Sequence, residues 1–226
     1  MKPPPELIDA PLILCEGGDE LGFLGELIEK RGLPEFNIIR TRHDSGGIDD
    51  FATIIGGADV LVNFEDFVRN STVVIVADAD DKPEANFRKV QKHIEETNKL
   101  RTTKPPWPVP DQVGKMATGT PNVIVYLMPD NKNPGALESL IWRHIEATHN
   151  DRALCVNDAV ECSGANDWLP QKLDKARFRA YVSLFYKPNP NCGLGMIWKQ
   201  NPPLLDITEA TFTPFADFLA GVAGQH

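Results

Sequence analysis

The sequence predicts an α/β protein in which helices sandwich a mostly parallel sheet, and two patterns lead to this fold class. Strand and helix patterns alternate up to about residue 145, the order found in parallel sheets covered by helices. The segment Val73–Ala77 is an unbroken apolar run, which is typical of a central strand buried on both faces. A chain of 226 residues with 42% hydrophobic content is long enough to bury such a core.

The first hundred residues supply the strands and helices of the N-terminal part of this fold. The first helix pattern ends at Gly32-Leu33-Pro34, a glycine-then-proline stop signal, and the second begins with Pro83 in its first turn. Residues 51–70 are predicted to be helical at both ends, with Gly56-Gly57 interrupting them. Strands are predicted at residues 11–16, 37–41 and 71–77, and helices at residues 19–31 and 83–100.

The rest of the chain contains a proline-rich insertion and a C-terminal extension. Four prolines between residues 105 and 110 predict a stiff, irregular segment over about residues 101–120. We therefore predict an α/β domain at residues 10–148, with a mainly helical and partly irregular extension at residues 149–226 packed on it. Within these parts we expect a strand at 122–128, a helix starting at Gly135, a polar loop at 151–170, and helices at 172–186 and 213–222.

Composition limits the possible functions. A net charge of -9 argues against a protein that binds polyanions through clustered lysine and arginine, although a cation held by carboxylates can still meet a phosphate. No apolar run approaches the roughly 20 residues that cross a bilayer, and Met1-Lys2-Pro3-Pro4-Pro5 lacks the hydrophobic core of a signal peptide. The four cysteines lack the spacing of a zinc site or a disulfide framework, so we expect reduced, mostly packed thiols. These observations predict a soluble cytoplasmic protein without a membrane partner.

Three predicted strands end in acidic residues, namely Glu16, the pair Asp78 and Asp80, and Asp130. The carboxyl ends of parallel strands share one edge of the sheet, so these side chains are expected to gather there. Carboxylates gathered in this way repel one another unless a cation or a proton lies among them. Mg²⁺ or Mn²⁺ is the hard cation that suits carboxylate oxygens.

A second interpretation stays open on sequence alone. Aspartate is favoured in turns and at helix starts, so Asp78-Ala79-Asp80 is equally compatible with a turn before the helix from Pro83. For Asp81 and Asp130, a turn or cap role is the better expectation than a place around a metal.

The residues 12–20, Leu-Ile-Leu-Cys-Glu-Gly-Gly-Asp-Glu, followed by a helix and later by Asp78-Ala79-Asp80, resemble the TOPRIM domain of topoisomerases, primases and OLD-family nucleases. The likeness is strongest to small stand-alone OLD-like TOPRIM proteins of archaea and bacteria, and it covers roughly residues 10–145. It implies a TOPRIM-like, Rossmann-like fold with Glu16, Asp78 and Asp80 as the signature metal ligands. The proline-rich insertion departs from the compact pattern of that family.

The same resemblance implies further site residues. Glu20 lies one helical turn after Glu16, and Glu138 closes a Gly-x-Leu-Glu segment, so both are implied as supplementary metal ligands. A weaker match around Lys175 implies a cation that neutralises charge on the reacting phosphate, with Glu16 as the other catalytic residue. A first-turn glutamate favoured by the helix dipole and a solvated helix lysine are the plainer alternatives for Glu20 and Lys175.

The resemblance implies metal-dependent hydrolysis of phosphodiester bonds in DNA or RNA, with Mg²⁺ or Mn²⁺ as cofactor. The alternative is a non-catalytic TOPRIM-fold protein that binds a metal or nucleotide and acts through a partner. A protein partner or a homo-oligomer is compatible with either function. The sequence contains no Gly-x-x-x-x-Gly-Lys-Ser/Thr motif, so the ATPase part of larger OLD proteins is absent from it.

Overall fold

The computed structural model describes residues 8–40, 72–100 and 105–224, and its strands form one parallel sheet. The predicted α/β fold class is confirmed. The predicted helices within residues 51–70 lie outside the described residues. The strands are β1 (Leu12–Cys15), β2 (Asn37–Arg40), β3 (Thr72–Asp78) and β4 (Asn122–Met128), and they lie side by side in the order β2-β1-β3-β4.

Helices cover this sheet and build the C-terminal part. Within the described ranges, no helix is both long and apolar enough to cross a membrane. Short 3-10 helices at Ala165–Asp167, Leu194–Lys199 and Ala210–Phe212 connect the later α-helices. The α-helices are α1 (Gly18–Arg31), α2 (Pro83–Leu100), α3 (Leu137–Thr148), α4 (Asn150–Ser163), α5 (Pro170–Phe185) and α6 (Thr213–Ala223).

The sheet separates two apolar clusters, and β3 contributes to both. All seven residues of β3 are buried, with Val74 and Val76 on one face and Val73 and Ile75 on the other. Successive side chains of a strand point to opposite faces, so a strand with both faces covered needs apolar residues at every position. This requirement explains the continuous apolar run in the sequence.

The C-terminal extension shares a core with the sheet. The ring of Phe23 in α1 lies 5.8–6.0 Å, between centroids, from the rings of Trp198, Phe212 and Phe215. The guanidinium of Arg31 donates hydrogen bonds to the carbonyl of Ile207 and to other groups of the same segment. Aromatic contacts of this kind add to the free energy gained by burial. Residues 194–223 therefore help to hold α1 against the sheet.

The prediction of a polar loop over residues 151–170 was wrong, because α4 occupies residues 150–163. Its buried residues Ala153, Val156 and Val160 are spaced by three and four positions, which places them on one narrow stripe. A stripe of only three small apolar residues is too weak to stand out from a polar sequence. Gly164, with a left-handed φ of 74°, ends the helix.

The proline-rich segment is irregular but firmly attached, as far as residues 105–120 describe it. Asn98 in α2 forms two hydrogen bonds of 2.8 Å with the backbone of Trp107, and Trp107 is only 2% exposed. The backbone N–H of Gly114 donates to the carbonyl of Val125 in β4 at 2.8 Å. These contacts hold the segment against α2 on one side and the sheet on the other.

All four cysteines are free thiols, but the expectation that most of them are packed was wrong for two. Cys15 and Cys192 are buried, whereas Cys155 and Cys162 are exposed on α4. The error has the same origin as the missed helix, since both residues lie on its solvent side.

Candidate functional site

The acidic ends of β1 and β3 lie next to each other. The two strands pair in parallel with Cys15 opposite Val76, so Glu16 and Asp78 extend neighbouring strands at the same edge. The backbone N–H of Asp78 donates a hydrogen bond of 2.9 Å to Oε1 of Glu16. The two acids that the sequence predicted to meet at this edge are therefore in contact.

Asp78 also meets residues from α3 and α5. Its Oδ1 accepts a hydrogen bond of 3.1 Å from the backbone N–H of Leu137, at the positive N-terminus of α3. Lys175 Nζ lies 4.0 Å from Oδ2 of Asp78 and 3.9 Å from Oε2 of Glu138. The Asp78 side chain is 11% exposed and the Lys175 side chain 47%, so the carboxylate is enclosed while the ammonium faces solvent on one side.

Glu20, in the first turn of α1, turns its carboxylate back towards the end of β1. A Cβ atom added to Gly17 would lie only 2.9 Å from Oε2 of Glu20, so the glycine leaves room for that carboxylate. The negative charge of Glu20 also contributes to raising the pKa of Glu16 and Asp78. Glu20 thus belongs to the same acidic cluster.

The pKa values of these carboxyls are raised by burial and by their mutual repulsion. Burial, with help from the charges of Glu20 and Asp80, raises the pKa of Glu16 to about 7. Burial raises the pKa of Asp78 well above its usual range, and the neighbouring Glu16, Glu20 and Glu138 raise it further. The cluster consequently favours a bound proton or cation at neutral pH.

The pKa values of Glu20, Glu138 and Lys175 are also raised. Burial raises the pKa of Glu20 and of Glu138, and the nearby ammonium of Lys175 only partly opposes this. For Lys175, burial acts to lower the pKa, but the surrounding carboxylates outweigh it and the pKa is raised. Lys175 is therefore a firmly charged cation beside an excess of acid.

Asp80 lies at the same edge but is held differently. Its backbone has a left-handed φ of 52° and forms a two-way bridge with Gly135, at N···O distances of 2.8 and 2.7 Å. Its Oδ2 accepts a hydrogen bond of 2.8 Å from Nδ2 of Asn86 in α2. Gly135 has a φ of 139° and precedes α3, so the prediction that the helix starts there was wrong.

Asn86 is a site residue that sequence reasoning missed. The residue is 4% exposed, and Nδ2 also lies 3.3 Å from the backbone carbonyl oxygen of Asp78. It thereby braces the turn that carries both aspartates. An asparagine in the first turn of a helix is commonly a solvent-facing polar residue, and its spacing from Asp80 corresponds to no known motif, so no sequence signal marked it.

Asp130 and Asp81 do not join the cluster. Asp130 accepts hydrogen bonds from the backbone N–H groups of Lys132 and Asn133 and pairs with Arg143. Partial burial acts to raise its pKa, but the hydrogen bonds from Asn133 and Arg143 hold it at about 2. Asp81 is exposed. The turn interpretation therefore fits both residues.

The turn role of Asp130 gives a pH-dependent prediction. Its pKa is depressed in the folded state, so its contribution to stability is full above the unfolded value of 3.8 and is lost as the pH falls towards about 2. Asp130→Asn is therefore expected to lower the free energy of unfolding at neutral pH, and the loss should shrink below pH 4. Urea unfolding of wild type and Asp130→Asn at several pH values measures this loss. A difference in the free energy of unfolding that does not change with pH would contradict the turn role of Asp130.

One comparison with known proteins places the chain in a family. The model of a family described as "Protein of unknown function (DUF3226)" matches residues 10–223, which include both the sheet and the C-terminal helices. The chain belongs to the DUF3226 family. No curated protein and no solved structure matches it. The family description states no activity, so the function of this DUF3226 protein must be argued from its site.

The donor set at the acidic edge fits a hard divalent cation, although the carboxylates are not arranged around one. Among the described residues, no three acidic, histidine or cysteine side chains form a ready-made metal-binding group. The oxygens instead face backbone N–H groups and Lys175, as in Glu16 and Asp78. Carboxylate oxygens suit Mg²⁺ or Mn²⁺, and a cation would relieve the repulsion that raises the pKa values. Glu16, Glu20, Asp78 and Glu138 would hold it, and Asp80, whose Oδ2 accepts from Asn86, would offer its other carboxylate oxygen.

Proposed function

We propose that this DUF3226 protein is a metal-dependent phosphodiesterase that hydrolyses DNA or RNA, in the manner of the OLD-like TOPRIM nucleases that its motifs resemble. The observation that supports this is the meeting of Glu16, Asp78 and Glu138 with Lys175 at one edge of the sheet. Strongly shifted pKa values in such a cluster are typical of functional sites. The proposal places the protein in the cytoplasm, where Mg²⁺ and nucleic acid are both present.

The residues have distinct roles in this proposal. Mg²⁺ or Mn²⁺, when bound, supplies Lewis-acid polarisation of the phosphate. Glu16, which lies beside Asp78 at the acidic edge, would help to hold the cation and to orient the attacking water. Lys175 keeps its charge and is half exposed, so it can approach the phosphate and stabilise the charge that develops there.

A binding protein without catalytic activity is the second candidate. The net charge of -9 favours it, because proteins that bind a polyanion usually carry an excess of lysine and arginine. In that function the acidic edge would bind a cation or a nucleotide, and a partner protein or a second copy of the chain would recognise the bound form. Saturable metal binding without any cleavage would support this candidate.

Cleavage assays test the first proposal. Purified protein is incubated with supercoiled plasmid, linear DNA and RNA in Mg²⁺, in Mn²⁺ and in excess chelator, alongside Glu16→Gln and the control Asp158→Asn. Asp158 is an exposed acid on α4, so the control removes the same charge elsewhere. We expect cleavage only with metal, an unchanged rate in the control, and a loss of at least about 100-fold in Glu16→Gln. Equal cleavage by Glu16→Gln would indicate a contaminating nuclease and refute the proposal.

A further inference from the structure

A groove of about 1100 Å³ opens beside the Asp80-Asp81 turn. One wall is the N-terminal half of α2, a second is residues 111–114 of the proline-rich segment, and the third is residues 130–132 after β4. Asp81, which directly follows the buried acidic turn, lines one end. The groove therefore borders the turn that carries Asp80.

The wall formed by the proline-rich segment is fixed in place. Gln91 Nε2 in α2 donates a hydrogen bond of 2.7 Å to the carbonyl of Pro110, just before the wall. Gly114, at its other end, is held by its hydrogen bond to Val125. A preformed groove loses little conformational entropy when it binds a ligand.

Three cations and four acids line the groove, and their ion pairs decide which charges stay uncompensated. Lys82, Arg88 and Lys132 line it, and no carboxylate of the described residues lies within 4.0 Å of their side-chain nitrogens. Two acids that line it have partners outside the lining, since Asp111 lies 3.9 Å from Lys115 and Asp130 pairs with Arg143.

Asp81 and Glu84 are the other acids of the lining. Within the described residues, the groove therefore has three cations without a carboxylate partner and two acids without a cationic partner. This leaves an excess of one positive charge, on a chain whose net charge is -9. Cations spaced along a groove are what a chain of phosphates requires.

Its size and its uncharged residues favour an extended single strand. The volume exceeds the range of about 300–1,000 Å³ that is typical of small-molecule sites. The exposed Gln112, the half-buried Val113 and the largely buried Phe87 also line the groove. Amide and apolar groups of this kind can contact bases only when the bases are not stacked inside a duplex.

We propose that this groove binds a single strand of nucleic acid through its phosphates and directs it to the acidic edge. The inference rests on the proposed function, because it names the path of the substrate. It also gives a role to the proline-rich segment, the part of the sequence that departs from the TOPRIM pattern.

Fluorescence anisotropy with labelled oligo-dT and oligo-rU of about 12 nucleotides, in excess chelator, separates binding from cleavage. The test variant is Lys82→Gln/Arg88→Gln/Lys132→Gln, with Arg88→Gln alone as a milder second variant. The matched control is Lys30→Gln/Lys99→Gln/Lys187→Gln, which removes three exposed positive charges away from the groove. Circular dichroism melting of every variant verifies that it is folded.

The triple groove variant is expected to bind at least about 10-fold more weakly, and the control within about twofold of wild type. The slope of log K against log salt should fall by about 2, since each phosphate contact on a single strand contributes about 0.7. The two oligonucleotides distinguish a DNA strand from an RNA strand.

Three results would overturn the inference: no binding by wild type, unchanged binding by the groove variant, or equal affinity for a duplex of the same length. The proposed function is judged separately by cleavage. If wild type cleaves while the groove variant binds normally, the groove inference fails and the proposed function survives. If Glu16→Gln abolishes cleavage but the variant still binds the strand in chelator, the result supports both the groove inference and the proposed function.

Discussion

Asp78→Asn is expected to abolish metal-dependent cleavage and, at the same time, to stabilise the metal-free protein. Asparagine keeps an oxygen that can accept the hydrogen bond from Leu137, but it cannot take the negative charge that burial and three glutamates oppose. A residue kept for function rather than for folding gives these two opposite effects when it is replaced. We expect cleavage to fall at least about 100-fold and the free energy of unfolding near pH 8 to rise.

The stabilisation should depend on pH in a defined direction. The pKa of Asp78 is raised in the folded state, so the wild-type protein loses stability as the pH rises from the unfolded value of 3.8 through the folded pKa. The asparagine variant lacks this loss, so its advantage should be larger at pH 8 than at pH 5. In Asp78→Asn, Lys175 loses one carboxylate partner. Because Lys175 is half exposed, that ion pair contributes little to the free energy of unfolding.

Chemical denaturation in chelator at both pH values measures the difference, with Asp158→Asn as the surface control. If Asp78→Asn is destabilised at every pH, Asp78 is a structural residue of the α3 N-terminus rather than a strained site residue. Asp130→Asn provides the contrast, because removing that acid should lower stability at neutral pH.

Gly22→Ala is expected to destabilise the protein by about 1–3 kcal/mol, although alanine is the better helix former. A Cβ atom at Gly22 would lie 2.3 Å from the carbonyl oxygen and 2.7 Å from the Cα of Gly195. Both atoms belong to a backbone that is itself held to α1, because the N–H of Gly195 donates a hydrogen bond of 2.8 Å to Asp19 Oδ1. The backbone of the C-terminal extension must move away to admit a methyl group.

Gly25 supplies a matched control in the same helix. A Cβ atom there meets nothing within 4 Å, so Gly25→Ala should stabilise the protein by up to about 1 kcal/mol. Thermal and urea unfolding should therefore rank Gly25→Ala above wild type and wild type above Gly22→Ala. Equal stabilisation by the two alanines would mean that α1 and residues 194–199 do not approach as closely as described.

The sequence was informative where one local pattern determines the outcome. The apolar run of β3 identified a strand with two covered faces, because no other position of a soluble sheet tolerates seven buried residues in succession. The meeting of Glu16 and Asp78 followed from parallel pairing, which aligns the carboxyl ends of neighbouring strands. Both conclusions needed only the periodicity of strands.

Contacts between distant segments were beyond such reasoning. Lys175, which only the family resemblance implied as a site residue, reaches Asp78 because α5 packs beside α3. Asn86 braces the acidic turn through a side chain that resembles an ordinary first-turn residue. The short stripe of α4 was too weak to distinguish a helix from a polar loop. These features depend on tertiary packing rather than on periodicity.

Calorimetric titration of Mn²⁺ and Mg²⁺ into chelator-stripped protein near neutral pH tests most directly whether the acidic edge is a metal site. The account predicts saturable binding in wild type and in Asp158→Asn, with at least about 10-fold weaker binding in Asp78→Asn. It also predicts proton release on binding, seen as a dependence of the heat on the buffer, because carboxyls with raised pKa values give up protons to a cation. Absence of saturable heat in wild type, or unchanged affinity in Asp78→Asn, would contradict a metal site at this edge.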